Sequence, residues 1–254
     1  TFKNIGNKAF YNCPKLQELH IPASVETIGS FDGCKGLRRL YIEDGDKPLY
    51  VDIEGTRNSY NSVNKYVNGK QYYFYYCHGA FYGTSLDSVY IGRSINYKMH
   101  TVSKNTTTVS YCLYAAPFVD VDSLKKVTIG PLVKDLGSQS DTIDTEFSYK
   151  VEIYDSHVLG MQDTIAVLNP IPPSGASFTD NAYKNSVVIV PKGSISNYKE
   201  AFGWKKFVNI KEKLKKYTVT YVVNDEIYTK EEVTEGDTLI LPNGPVKEGY
   251  TLVW

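Results

Sequence analysis

The chain has 254 residues, of which 42% are hydrophobic, so it can form one large domain or two modest ones with a real core. Lysine plus arginine number 28 and aspartate plus glutamate also number 28, which gives a formal net charge of zero. This balance argues against a nucleic-acid-binding protein, which needs a basic surplus. The sequence also holds no apolar run long enough to cross a bilayer, so we expect no membrane insertion.

The first elements repeat each other at a step of 21 residues, from Leu16 to Leu37 and from Ile21 to Ile42. The spacing Leu-x-x-(Leu/Val)-x-Ile occurs again at 86–91 and 124–129. A phenylalanine precedes the leucine by five or six residues in all four copies, at Phe10, Phe31, Phe81 and Phe118. Two weaker copies are Val151 with Ile153, and Val188 with Val190.

Each copy predicts a short strand whose (Leu/Val)-x-Ile pair points inward, because residues two apart in a strand share a face. Stacked coils place such strands side by side, about 4.8 Å apart. One coil cannot bury its own apolar face, so only the stack is stable. The residues between the inward pairs point outward: His20, Tyr41, Tyr90, Thr128, Glu152 and Ile189. The alternative, an ordinary sandwich of alternating strands, is disfavoured by the four near-identical signatures.

The run Ile-Gly-x-x-Ala-Phe-x-x-Cys-x-x-Leu-x-x-Leu-x-Ile-Pro at 5–22 resembles the BspA-like leucine-rich repeat. The resemblance covers about residues 1–213 and implies a mainly β, right-handed solenoid with a parallel sheet and irregular insertions. The stretch from Val188 onward is similar to the usual end of the family. We expect a short capping helix at 195–202 between Ser194 and Gly203, with Trp204 and Phe207 covering the last coil.

An insertion separates the second and third coils, because Ile42 and Ile91 are 49 residues apart. It carries the hairpin signal Asn68-Gly69 and many tyrosines. Tyrosine suits recognition surfaces, since it offers contact area at little cost in rotamer entropy. One interpretation is therefore a projecting hairpin that presents Tyr66, Tyr72, Tyr73 and Tyr75 to a partner. The alternative is that these tyrosines pack on the flank of the solenoid.

The pattern changes after Lys216 to an alternating strand at 217–223, a turn at Asn224-Asp225 and a returning strand at 227–233. Together with Gly236-Asp237-Thr238, this stretch resembles the Listeria–Bacteroides repeat, also called the internalin B-repeat type. The resemblance implies a small β-grasp-like module. We therefore predict two domains, at 1–213 and 214–254.

No catalytic or metal-binding motif is found in the sequence. It has no Cys-x-x-Cys pair, no phosphate-binding loop, no nucleophile elbow and no His-Glu-x-x-His, and its four histidines are scattered. We predict no enzyme activity, no metal and no cofactor. In the family, the place shared by Cys13 and Cys34 points inward, which implies free thiols.

The family is typical of surface proteins of gut and oral bacteria. The resemblance implies an extracellular, cell-surface protein, which we expect to be a monomer. It would bind a host or bacterial surface protein or glycan through the repeat sheet, with His20, Tyr41, Tyr90 and Thr128 as the candidate surface. The alternative is a structural spacer that displays other domains and has no ligand of its own.

Overall fold

The computed structural model describes residues 2–51, 59–67, 69–77, 79–97, 100–104, 106–114, 117–118, 121–137, 142–144, 150–152, 159, 162–244 and 248–249. Contacts divide the chain into two units, Thr1–Glu212 and Lys213–Trp254. Each unit is built mainly from strands.

The described residues form nineteen strands and two helices. In chain order they are β1 (Asn4–Ile5), β2 (Glu18–Ile21), β3 (Thr27–Ile28), β4 (Arg39–Ile42), β5 (Leu49–Val51), β6 (Ser59–Val67), β7 (Lys70–Cys77), β8 (Ser88–Ile91), β9 (Ile95–Tyr97), β10 (His100–Lys104), β11 (Thr108–Tyr114), β12 (Lys126–Ile129), β13 (Thr142–Asp144), β14 (Lys150–Glu152), β15 (Thr164–Val167), α1 (Asp180–Asn185), β16 (Val187–Val190), α2 (Ile195–Glu200), β17 (Asn209–Glu212), β18 (Lys216–Val223) and β19 (Glu226–Thr234).

The main sheet of the first unit has seven strands in the order β2-β4-β8-β12-β15-β16-β17. All of its neighbours are parallel. Ile21, Ile42, Ile91 and Ile129 lie in register on adjacent strands and are buried, as the repeat predicts. The predicted fold class, a β solenoid with a parallel sheet, is therefore confirmed.

The fifth coil corrects one sequence prediction. Val151 lies in β14, which pairs antiparallel with β13 and does not join the main sheet, while Ile153 lies outside the described residues. The coil instead uses β15, with Ile165 and Val167 buried. The repeat pattern missed this strand because the buried Gln162 stands three residues before Ile165, where the other copies carry leucine.

A second parallel sheet, β1-β3-β5-β9, forms in the same coils. The predicted phenylalanines stack on one another from coil to coil and form the Phe stack: Phe10, Phe31, Phe81 and Phe118. Their ring centroids are 5.6, 5.2 and 5.1 Å apart in that order. Backbone bridges then continue the column through Leu159 to Phe178. Burial of this continuous apolar column stabilises the coils against one another.

The two insertions pair with each other. The strands β6 and β7 form the predicted hairpin, although Asn68 of its turn lies outside the described residues. The strands β10 and β11 form a second hairpin, and β7 pairs with β11 in parallel register. The insertions therefore form one four-stranded sheet, β6-β7-β11-β10.

The C-terminal end of the solenoid is closed by aromatic residues. The helix α2 begins after Ser194, as predicted, and ends at Glu200, two residues before the predicted end. Trp204 is fully buried, and its indole Nε1 donates a hydrogen bond of 2.9 Å to the carbonyl of Pro173. Phe207 also packs against Phe178 with ring centroids 4.8 Å apart. These two residues therefore cover the last coil, as expected.

The second unit contains the antiparallel hairpin of β18 and β19. Its turn residues Asn224 and Asp225 have φ of +51° and +65°. Two consecutive positive φ angles are typical of the tight turn that matches the twist of a hairpin. Across the hairpin, the Tyr221 hydroxyl donates to Glu231 at 2.7 Å.

Candidate functional site

The outward residues of the main sheet form a straight line across all seven strands, which we call the outer row. In register they are His20, Tyr41, Tyr90, Thr128, Ala166, Ile189 and Lys211. The sheet therefore brings the four predicted surface residues together on adjacent strands. That they bind a ligand remains a prediction.

The first three members of the outer row form an aromatic ladder. The rings of His20 and Tyr41 meet edge to face with centroids 5.0 Å apart. The rings of Tyr41 and Tyr90 are stacked, 4.6 Å apart with planes only 9° from parallel. This spacing is close to the strand separation of about 4.8 Å, so the backbone ladder itself sets the ring stack. Tyr41 is 42% exposed, so the stack faces solvent.

Tyr90 is held in place by Asp44, which follows β4. The phenol of Tyr90 donates a hydrogen bond of 2.8 Å to Asp44 Oδ1. Burial, this hydrogen bond and the charge of Asp44 all raise the pKa of Tyr90 above its ordinary value, so the phenol stays a neutral donor. The Tyr90 side chain is therefore fixed before any ligand arrives.

Two glycines make room for this hydrogen bond. A Cβ atom at Gly92 would lie 2.7 Å from Asp44 Oδ1. One at Gly130 would lie 2.8 Å from Asp44 Oδ1 and 2.9 Å from the Tyr90 hydroxyl. Sequence reasoning missed Asp44 and both glycines. The available signal was the dipeptide Ile-Gly, which ends both the third and the fourth strand copies.

A second outward row runs beside the first and is polar except at Val187. Its members are Glu18, Arg39, Ser88, Lys126, Thr164, Val187 and Asn209. Glu18 and Arg39 form an ion pair, and the Ser88 hydroxyl donates to Asp87 at 3.0 Å. A depression of about 490 Å³ lies over both rows from β2 to β12 and includes Tyr90 and Thr128 in its lining. The arrangement suits binding of a ligand rather than chemistry on it.

Family comparison agrees with this geometry. Residues 3–97 match the family model described as "BspA type leucine rich repeat region (6 copies)". These coils are BspA-type leucine-rich repeats. Residues 217–254 match the Listeria-Bacteroides repeat domain. Both resemblances are thus confirmed, whereas searches of curated proteins and of solved structures found no match.

The BspA-type repeat model ends at residue 97, but the solenoid does not. The strands β12, β15, β16 and β17 continue the same parallel register to Glu212. Both kinds of repeat are typical of bacterial surface or secreted proteins, and such repeat domains are typically non-catalytic. None of the helices in the described ranges is long and apolar enough to span a membrane.

The tyrosines of the insertion between the BspA-type coils differ in how far they are exposed to solvent. Tyr66 is 74% exposed, whereas Tyr72 is buried at 2% exposure. The prediction that Tyr72 presents its side chain to a partner is therefore wrong, because that side chain packs inside the protein. Tyr73 is half-buried, and the side chain of Tyr75 lies outside the part that the structure describes.

The side chains that could carry chemistry are dispersed over the described ranges. No group of three or more His, Cys, Asp or Glu residues there is placed to hold a metal ion. Cys13 and Cys34 are free thiols. Burial raises the pKa of Cys34, whose thiol donates to the Phe10 carbonyl at 2.9 Å. A raised pKa keeps a thiol protonated and unreactive, so Cys34 serves packing.

Proposed function

We propose that the chain belongs to an extracellular bacterial surface protein that mediates adhesion. It recognises a protein or glycan of a host or bacterial surface through the outer face of its main sheet. The observation that carries this proposal is the aromatic ladder of His20, Tyr41 and Tyr90 on three successive strands, of which His20 and Tyr41 are exposed and Tyr90 is half-buried. A coil needs its inward residues for stability, whereas its outward residue can be polar at no cost to the core. Exposed, adjacent aromatic rings therefore favour a recognition surface.

The rigidity of this surface supports the same function. Each ladder residue sits on a strand that is paired on at least one side, and Tyr90 is also held by Asp44. Side chains that are fixed beforehand lose little entropy on binding, so more of the contact energy appears as affinity. The outer row crosses seven strands, so it also fits an extended ligand that lies across them.

Two tyrosines of similar exposure allow a matched test. Tyr41 is 42% exposed on the main sheet, and Tyr50 is 39% exposed on β5 of the second sheet. The full chain and its variants would be applied to a glycan array and to immobilised extracellular-matrix proteins. We expect Tyr41→Ala to weaken binding about tenfold or more, as for a buried aromatic anchor, and Tyr50→Ala to leave it unchanged.

The outcomes separate adhesion from the alternative of a structural spacer. Equal binding by both variants would contradict a role for the main sheet. Failure of the unaltered chain to bind any glycan or matrix protein would favour the spacer and overturn the proposal.

A further inference from the structure

The aromatic ladder ends at Tyr90 on β8, and the next strand, β12, carries no aromatic residue in the outer row. Tyr41 covers one face of the Tyr90 ring, so the other face is turned towards β12. The outer-row residue there is Thr128, followed by Ala166 on β15. Both side chains are small. We call the space above Thr128, where the depression ends beside the Tyr90 ring, the open step.

The open step has the right spacing for one more ring. Neighbouring strands are about 4.8 Å apart, and the Tyr41 and Tyr90 rings are 4.6 Å apart. A ring placed over Thr128 would therefore continue the stack at nearly the same distance. Ile189, the next large member of the outer row, lies beyond Ala166 and limits the step on its far side.

The groups around the open step are polar and oppositely charged at its two ends. Lys126 lies two residues before Thr128 on the same face of β12. Asp44 lies at the other end, over Gly130, two residues after Thr128. Thr128 lies between Lys126 and Gly130 in the chain and carries a hydroxyl group. The step therefore has a cationic side chain beside one end and a carboxylate beside the other.

We propose that the open step binds a neutral pyranose ring of a surface glycan. The C–H face of the sugar stacks on the Tyr90 ring, and its hydroxyls bond to Thr128, Lys126 and Asp44. Pockets for such ligands combine an aromatic surface with a few polar groups that fix orientation. This inference rests on the proposed function and names the ligand class of the same surface.

The charges and hydroxyls favour a neutral sugar over other ligands. An anionic sugar attracted to Lys126 would be repelled by Asp44 at the opposite end. The aromatic side chain of a protein ligand could stack on Tyr90, but it would cover the Thr128 hydroxyl without offering it a hydrogen bond. Covering a polar group in this way costs binding energy.

The substitution Thr128→Phe tests the proposal, because it fills the open step with a ring of the protein itself. Thr128 is a half-exposed strand residue, and phenylalanine favours strands, so the fold should remain intact. The matched control is Asn96→Phe, which places the same ring beside Tyr50 on the second sheet. The probe is an array of neutral glucose-, galactose- and mannose-containing oligosaccharides, with sialylated and uronic-acid glycans beside them.

We expect the unaltered chain and Asn96→Phe to bind a neutral oligosaccharide, and Thr128→Phe to lose about tenfold or more of that affinity. If Thr128→Phe fails to fold by circular dichroism, Tyr90→Leu replaces it, with Tyr90→Phe as the variant that keeps the ring. Tyr90→Leu should lose binding and Tyr90→Phe should retain most of it.

Three results would overturn the inference: binding to acidic glycans alone, binding to matrix proteins alone, or neutral-glycan binding that survives Thr128→Phe, or Tyr90→Leu where that variant replaces it. If the chain binds a matrix protein and Tyr41→Ala abolishes that binding, the proposed function stands while the sugar site fails. The two proposals can therefore fail separately.

Discussion

The guanidinium of Arg93 donates a hydrogen bond of 2.9 Å to the carbonyl oxygen of Pro22, although the two residues are 71 positions apart in the chain. It also donates to the carbonyl of Ala23 at 3.0 Å. Arg93 is fully buried, and burial lowers its pKa while the charge of Glu43 opposes that effect. Arg93 follows β8, the third strand of the main sheet, and Pro22 follows β2, the first. The Arg93 side chain therefore reaches across the second coil and passes close to Gly45.

Arg93→Ala should destabilise the solenoid by about 3 kcal/mol, because it removes two charge-assisted hydrogen bonds from the buried interior. The Pro22 carbonyl keeps its hydrogen bond of 3.0 Å from the Val25 N–H, whereas the Ala23 carbonyl loses its Arg93 donor. The free energy of unfolding would be measured in urea by circular dichroism. The control Arg39→Ala removes an exposed ion pair with Glu18 and should change that free energy by less than about 1 kcal/mol. A loss in Arg93→Ala no larger than in Arg39→Ala would contradict this account.

The Phe stack should be most sensitive in its middle. Phe81 is fully buried between Phe31 and Phe118, so Phe81→Ala should lower the free energy of unfolding by about 3–5 kcal/mol. Phe10 lies at one end of the stack and is only partly buried, so Phe10→Ala should cost less. Denaturant unfolding of both variants checks the order, and equal losses would show that the column is not one cooperative core.

Gly130→Ala should disturb the Tyr90–Asp44 hydrogen bond, because its Cβ would meet Asp44 Oδ1 at 2.8 Å and the Tyr90 hydroxyl at 2.9 Å. We expect a loss of about 1–3 kcal/mol, typical of overpacking. Gly6→Ala is the control, since nothing lies within 4 Å of a Cβ there. Thermal unfolding of the two variants gives the comparison, and identical midpoints would argue against the close approach at Gly130.

Alkaline pH should weaken the C-terminal cap through Tyr198. This phenol is fully buried, donates to the Asn169 carbonyl at 2.6 Å, and has its pKa raised by burial. Above the ordinary tyrosine pKa of about 10, the unfolded chain loses this proton and the folded chain keeps it, so stability falls as the pH rises. The stability that the protonated Tyr198 phenol contributes is fully present below pH about 10 and falls as the pH rises above it.

Tyr198→Phe should therefore be less stable near neutral pH by about 1 kcal/mol, from the lost hydrogen bond, yet lose less stability between pH 9 and 11. Urea unfolding at several pH values measures both effects. The control Tyr11→Phe changes a tyrosine with an exposed side chain and should follow the unaltered protein. A pH dependence identical in all three proteins would exclude Tyr198 as a source.

The sequence predicts the periodic part of this fold well because side-chain alternation and a fixed step determine which residues lie in register. That logic alone places His20, Tyr41, Tyr90 and Thr128 in one row, as the register of the strands confirms. It failed at the fifth coil, where Gln162 replaces the expected leucine and Leu159 takes the place of a stack phenylalanine. A single polar substitution there concealed the strand.

Long-range partners could not be predicted for a different reason. The parallel pairing of β7 with β11 joins two insertions that share no local pattern. The contacts of Asp44 with Tyr90 and of Arg93 with Pro22 link different coils. The sequence around Asp44 and around Arg93 contains no pattern that predicts these partners. Local periodicity encodes the strands, whereas these contacts depend on how the coils are stacked.

The terminal position of Trp204 has a consequence for how such a protein can change during evolution. Because the indole closes the stack on one side only, gene duplication of a 21-residue unit upstream would lengthen the main sheet while leaving its closing residues intact. Each added unit would contribute one new residue to each of the two outward rows, and selection can alter both without touching the interior. A lineage could thereby change the outer surface of the sheet by copying and diversifying coils.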